Sequence, residues 1–160
     1  MTKTIYMGQF ETVRKPDILR TTLGSCVGVV LYDPLTQVYG MAHIMLPSST
    51  TGTGDVTGKY ADTALPALIE KMGVPLAQAA RLKAKIAGGA NMFSTLHQWG
   101  EKDILQIGER NITATLERIS HLGIAILGKV VGGTEGRELT IDTRSGKVWI
   151  RTIGERPVEL

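Results

Sequence analysis

Cys26, the only cysteine in the chain, stands in the run Leu23-Gly24-Ser25-Cys26-Val27-Gly28, and His43 is the first histidine after it. A thiol attacks a carbonyl as its thiolate, and an imidazole is the side chain best suited to take or balance that proton near neutral pH. A single cysteine can form neither an internal disulfide nor a multi-thiolate metal site. The pair therefore reads as a candidate nucleophile and base for acyl transfer. The competing reading is a small buried cysteine beside a satisfied histidine. Gly24 and Gly28, which give the thiol a turn to stand in, favour the reactive pair.

A third group usually orients such a base. Thr21 and Thr22 lie just upstream and could each reach the imidazole with a hydroxyl or a backbone carbonyl, and spacing does not choose between them. Backbone N–H groups around the glycine-flanked turn are natural donors to a developing oxyanion.

The elements around the pair must bring it together. Residues 26–32 read as a mostly buried strand, Asp33-Pro34 opens a turn, and residues 38–46 read as the antiparallel partner. A four-residue loop over 33–36 would pair Tyr32 with Gln37, and so Cys26 with His43. Directly opposed antiparallel residues have Cβ atoms about 4.5–5.5 Å apart on one face, which is contact distance for thiol and imidazole. Another loop length would shift that register.

Elsewhere, residues 3–13 and 17–22 read as strands split at Lys15-Pro16-Asp17. Residues 47–58 lack apolar periodicity and read as a mobile loop. A helix is expected over about 59–72, with Ala61, Ala64, Leu65, Leu68, Ile69 and Met72 on one face and Pro66 predicting a kink or a later start. A strand over 82–87 runs into Gly88-Gly89-Ala90. A second helix over about 108–121 buries Ile112, Thr115, Leu116, Ile119 and Leu122, and Gly123 ends it. A strand over 124–131 follows, and Arg137–Asp142 and Lys147–Thr152 flank a Ser145-Gly146 turn.

Three other constellations offer competing chemistry. The run from Gly24 to Gly28 spells G-x-C-x-G, but a nucleophile elbow needs a following helix and a histidine last in the chain order, and here Val29-Val30-Leu31 follows instead. Metal binding is not expected, since the three histidines and the cysteine lack ligand spacing. His121 reads as a partner of a helix C-terminus, and His97, near Trp99, as a lesser candidate base. Gly132-Gly133-Thr134-Glu135-Gly136-Arg137 precedes no helix and reads as a tight connection rather than a phosphate loop.

Composition fits these readings. One hundred and sixty residues with 42% hydrophobic and 21% charged side chains suit a single soluble domain spanning 1–160. Nineteen glycines imply many tight turns. One cysteine points to a reducing compartment, and with no signal peptide and no apolar run of roughly 18 residues, a cytoplasmic location is expected. The net charge of +3 is scattered, which gives nucleic-acid binding little support.

Several segments in order also resemble a known family. Residues 23–34, then Met41-Ala42-His43-Ile44-Met45-Leu46-Pro47, are similar to the signature of the chemoreceptor glutamine deamidases, the CheD family. Lys59-Tyr60-Ala61-Asp62, residues 84–90 with Met92-Phe93, Ile107-Gly108 with Arg110-Asn111, and Gly132-Gly133 with Gly136-Arg137 continue the match over about residues 4–152.

The resemblance implies an α/β (α+β) layered sandwich of mostly antiparallel strands with two main helices, like the bacterial deamidase toxins. It implies hydrolysis of receptor glutamine side chains to glutamates with release of ammonia, as a step of chemotaxis adaptation. Cys26 would be the nucleophile and His43 the base, with Thr21 the better match for the third residue and Thr22 the other choice. No cofactor or metal is implied. The expected partners are chemoreceptor cytoplasmic domains, and in some members CheC. The alternatives are a noncatalytic regulator that binds receptors or CheC, and a receptor methylesterase acting through the same site. The loop over 47–58 and the turn over 88–93 are the candidate readers of a receptor surface.

Overall fold

The computed structural model describes residues 1–49, 57–92 and 106–160. Among the described residues ten strands form two five-stranded sheets. They are β1 (Thr2–Thr4), β2 (Phe10–Val13), β3 (Ile18–Leu23), β4 (Val27–Asp33), β5 (Val38–Ile44), β6 (Lys83–Gly88), β7 (Ala125–Val131), β8 (Arg137–Asp142), β9 (Lys147–Thr152) and β10 (Val158–Glu159). The first sheet runs β1-β3-β8-β9-β10 and the second β2-β5-β4-β6-β7. Among the described strands only β1–β3 and β6–β7 pair in parallel, so the expected mostly antiparallel sandwich is what forms.

Two helices, α1 (Ala61–Lys71) and α2 (Ile107–His121), cover the outer face of the second sheet. The reason lies in the alternation of β4 and β5. Val27, Val29 and Leu31, with Val38, Ala42 and Ile44, pack against Leu65, Leu68 and Ile69 of α1. Each of these buried valine, leucine and isoleucine side chains is worth about 1.5–3 kcal/mol relative to exposure. The opposite face, with Cys26, Val30, Tyr39 and Met41, packs against Leu19, Leu23, Leu139 and Ile141 of the first sheet. Strands β4 and β5 are thus apolar on both sides, and Cys26 belongs to the layer between the sheets.

Both helices match their expected spans to within a residue or two, with differences inside them. α1 runs through Pro66 without a later start, because Ala61, Ala64 and Leu65 are buried ahead of the proline and anchor the first turns. In α2 the inward face includes Gly108 and Asn111, where the apolar stripe had been expected to begin at Ile112. Residues 3–13 do not make one strand. β1 and β2 lie in different sheets, with Gly8 between them at a φ of 76°. Of the loop expected over 47–58, residues 50–56 lie outside the described residues, as do Phe93, His97 and Trp99.

The β4–β5 hairpin corrects the expected register. Asp33 pairs with Val38, Tyr32 with Tyr39, and Gly28, not Cys26, stands opposite His43. The loop does hold four residues, but they are 34–37. Asp33 itself ends the strand, and its carboxylate accepts the Leu35 N–H at 3.1 Å and the Thr36 hydroxyl at 2.6 Å. Gln37 then closes the turn in the left-handed region, at a φ of 57°.

Arg81 completes that anchor, with Nε and Nη2 donating to the two Asp33 oxygens at 3.0 and 2.9 Å. These donors hold the Asp33 carboxyl down from 3.8 to about 2. The ionised form is therefore favoured by folding, and its contribution is present above pH 3.8 and lost as pH falls toward about 2. Asp33→Asn is expected to lower stability at pH 7 by about 1–3 kcal/mol. The gap from wild type should narrow below pH 3.8, as read by urea unfolding at the two pH values.

Candidate active site

The shift in register does not part the pair. Moving a strand by two residues keeps every side chain on its face, whereas a shift of one would have turned the thiol away from the imidazole. Continued one residue past the Val27–Ile44 pair, the register makes Cys26 and His43 diagonal neighbours, both on the face toward the layer between the sheets. Diagonal pairs stand about 7–8 Å apart at the backbone, within reach of a ring that leans toward its neighbour. Gly28 lies between them on that face. A Cβ there would come within 2.7 Å of Leu139 Cδ2 and 2.8 Å of Leu23 Cδ1, so its bareness lets the first sheet close over the pair.

Strand β3 decides between the two threonines. Its residues alternate in burial, so Thr21 is fully buried and points inward while Thr22 is exposed. Thr21 Oγ1 lies 2.7 Å from His43 Nδ1 and 2.6 Å from the Ile5 carbonyl oxygen. A carbonyl can only accept, so the single hydroxyl proton goes to Ile5. Thr21 Oγ1 must then accept from His43, which puts the ring proton on Nδ1 and leaves a lone pair on Nε2. The backbone holds the ring as well. His43 N–H donates to the Gln9 carbonyl at 2.9 Å, and the His43 carbonyl accepts from Gly8 at 3.0 Å.

Burial sets the charge state of both groups. It pushes the Cys26 thiol above its ordinary 9.0 and holds His43 below its ordinary 6.5. At neutral pH the resting pair is thus thiol and neutral imidazole. The imidazole is in the form that accepts a proton.

The turn that carries Cys26 is fixed by its carbonyls. Gly24 accepts from the Ala90 N–H at 2.9 Å, and Cys26 from the Gly89 N–H at 2.8 Å. Ser25, between them, accepts from Asn111 Nδ2 at 3.0 Å, and the same Nδ2 donates to the Met45 carbonyl at 2.9 Å. Gly88 must be glycine for this packing. Its φ is +102°, and a Cβ there would stand 2.3 Å from the Cys26 carbonyl oxygen. Arg137, buried beneath the turn, donates from Nη1 to the carbonyls of Gly88 at 3.0 Å and Val130 at 2.9 Å, and from Nη2 to that of Gly132.

Asn111 and Arg137 were not singled out as candidates by sequence reasoning. Asn111 could have been, since it lies four residues before Thr115 and eight before Ile119 on the inward face of α2, where an amide is out of place. Arg137 gave no such signal, because a lone arginine beginning a strand is commonplace. His121 is exposed at the end of α2, away from the pair's layer. Among the described residues no three histidine, cysteine or carboxylate side chains cluster as they would around a metal ion.

A family model described as "CheD chemotactic sensory transduction" matches residues 45–152. A probable chemoreceptor glutamine deamidase CheD of Desulforamulus reducens is 46% identical over 155 residues, covering 92% of this chain and 89% of that one. The chemoreceptor glutamine deamidase CheD of Halalkalibacterium halodurans is 43% identical over 157 residues, covering 96% and 95%. Among solved structures, the hypothetical protein YfiH of Bacillus licheniformis aligns with a TM-score of 0.44 at 18% identity, over 78% of this chain and 51% of that one.

If Nε2 of His43 takes the Cys26 proton, iodoacetamide should alkylate Cys26 at pH 7, and the rate should fall as the pH drops below the ordinary histidine value of 6.5. His43→Ala should slow alkylation at pH 7 by about tenfold or more and move its rise toward the alkaline range of the thiol. Thr21→Val should slow it less and cost about 1–3 kcal/mol of stability, because it strands the Ile5 carbonyl and the Nδ1 proton. Intact mass against time, from pH 5 to 9, reads all three.

Proposed function

Because the chain belongs to the CheD family of chemotactic sensory transduction proteins, we propose that it is a chemoreceptor glutamine deamidase in which Cys26 attacks, His43 moves protons and Thr21 orients His43. One observation carries the reading. The Thr21–His43 hydrogen bond fixes the Nδ1–H tautomer and leaves Nε2 as a base on the face that also holds the lone thiol. The relatives' names supply the substrate, the side-chain carboxamide of a receptor glutamine.

The steps follow from these groups. Nε2 takes the Cys26 proton as Sγ bonds to the carboxamide carbon, and the carbonyl electron pair moves onto oxygen. Backbone N–H groups of the Cys26 turn stabilise that oxyanion, and one such donor is worth about 3–4 kcal/mol. The C–N bond then breaks, the leaving nitrogen takes the proton from Nε2 and departs as ammonia, and a thioester remains. Water gives a proton to the same nitrogen and attacks the thioester carbon. The C–S bond breaks and the thiol is restored, leaving glutamate. The neutral resting pair suits this sequence, because the proton is transferred during attack rather than before it.

The reaction needs a reduced thiol and a receptor's cytoplasmic face, which supports a cytoplasmic setting. No described helix is long and apolar enough to cross a membrane. The turn leading to Met92, which is 44% exposed and packs near Gly24, is the described segment best placed to meet a receptor surface beside the thiol.

The test is a chemoreceptor cytoplasmic fragment incubated with wild type, Cys26→Ala and His43→Ala, with peptide mapping and ammonia release followed together. Wild type should add about one mass unit per modified glutamine with equimolar ammonia, and both variants should lose at least about a hundredfold in rate. Full activity in Cys26→Ala would refute the assignment of the nucleophile. Methanol release from methylated receptor, without ammonia from glutamine, would move the reading to a methylesterase.

A further inference from the structure

We propose that Asn111 is a positioning residue that aims the backbone N–H of Cys26 at the oxyanion; the proposal rests on the deamidase reading above. Asn111 is fully buried, and its Nδ2 donates to the Ser25 carbonyl at 3.0 Å and to the Met45 carbonyl at 2.9 Å. The Ser25–Cys26 peptide is a planar unit in which C=O and N–H point in opposite directions. Turning the Ser25 carbonyl toward α2, on the outer side of the second sheet, turns the Cys26 N–H the other way. On this proposal the Cys26 N–H faces the thiol, whose side chain belongs to the layer between the sheets.

The neighbouring bonds make this orientation specific. Three successive carbonyls, of Gly24, Ser25 and Cys26, accept from Ala90, Asn111 and Gly89. No described residue accepts from the Cys26 N–H. The backbone is thus tied by its oxygens on both sides of the nucleophile, and the amide that a tetrahedral oxyanion could use is left available. Two of the three ties come from backbone N–H groups at the end of β6. The third comes from a side chain on a helix, and that one can be removed by substitution. Its second bond, to Met45, links the same amide group to the end of the strand that carries His43.

The role separates from nucleophile activation by experiment. Alkylation by iodoacetamide needs the thiol and His43 but develops no oxyanion. Capture of an aldehyde does develop one: Sγ adds to the aldehyde carbon, the carbonyl electron pair goes to oxygen, and the thiol proton passes to that oxygen to give a hemithioacetal. A peptide bearing glutamate γ-semialdehyde is the probe, titrated against wild type, Asn111→Ala and Asn111→Ser, with the fold of each checked by circular dichroism. Asn111→Ala is expected to weaken aldehyde capture and to lower kcat for deamidation by about a hundredfold each, the size expected for an oxyanion donor. KM and the alkylation rate should stay within about twofold of wild type. Asn111→Ser, which keeps one donor in place, should lie between the two and serves if the alanine variant fails to fold.

Unchanged aldehyde capture in a folded variant would overturn the proposal. So would an alkylation rate that falls in parallel with capture, or loss of the native fold in both variants, since either would make Asn111 a structural residue only. Wild type that captures the aldehyde but releases no ammonia from glutamine would refute the deamidase reading, and the variants' capture ratios would still decide the role of Asn111.

Discussion

The site hangs on one hydrogen bond that crosses between two sheets. Thr21 belongs to β3 of the first sheet and His43 to β5 of the second, and the bond between them is 2.7 Å long and fully buried. Because the Thr21 hydroxyl is already committed to the Ile5 carbonyl, it can accept a hydrogen bond from His43 but cannot donate one to it. A single hydroxyl therefore fixes the tautomer, orientation and burial of the base at once. It does so only while the two sheets keep their packing distance, which ties the chemistry to the core made by Leu19, Leu23, Met41, Leu139 and Ile141.

That dependence explains the electrostatic character of the resting site. An exposed thiol and imidazole would stay nearer their ordinary values, but here burial moves them apart, the thiol up and the imidazole down. Desolvation disfavours the charged form of each, so an ion pair is not the resting state. A neutral pair keeps the thiol protonated at rest, so its proton moves to the imidazole only as an electrophilic carbon is attacked. The same shift adds a stability cost in acid. His43 binds its proton more weakly folded than unfolded, so stability declines as pH falls below 6.5.

Much of this was legible in the chain. The run around Cys26, the first histidine after it and the strand-like spacing between them identified the pair, and alternation in β3 would have chosen Thr21 had its inward face been known. What sequence could not supply was the hairpin register. Spacing makes Asp33 the first loop residue, whereas its bonds to Leu35, Thr36 and Arg81 make it the last residue of the strand. Arg81 lies 48 positions away, and no local pattern announces a tie of that range. Cys26 and His43 still share a face because the register differs by an even number of residues. The family-like segments Arg110-Asn111 and Gly136-Arg137 contain the two other residues that hold the turn, but nothing in the sequence assigns either a task. Each acts on backbone carbonyls, which carry no sequence signature, from elements distant in the chain.

The frame around Cys26 shows why such carbonyl ties recur here. Buried backbone groups need partners, and a nucleophile that must leave its own N–H available for a developing charge cannot sit inside a regular strand, where the ladder would consume that donor. Cys26 stands one residue before β4 begins, and the turn it occupies is secured through its oxygens by Gly89, Ala90 and Asn111. The glycines follow from that requirement. Gly88 must let its backbone approach the Cys26 carbonyl within 2.3 Å of where a Cβ would stand, and Arg137 must satisfy the Gly88 carbonyl in turn. A chain that merely placed a thiol near an imidazole would need none of these. Their presence around a single turn supports the proposed use of that turn to stabilise an oxyanion.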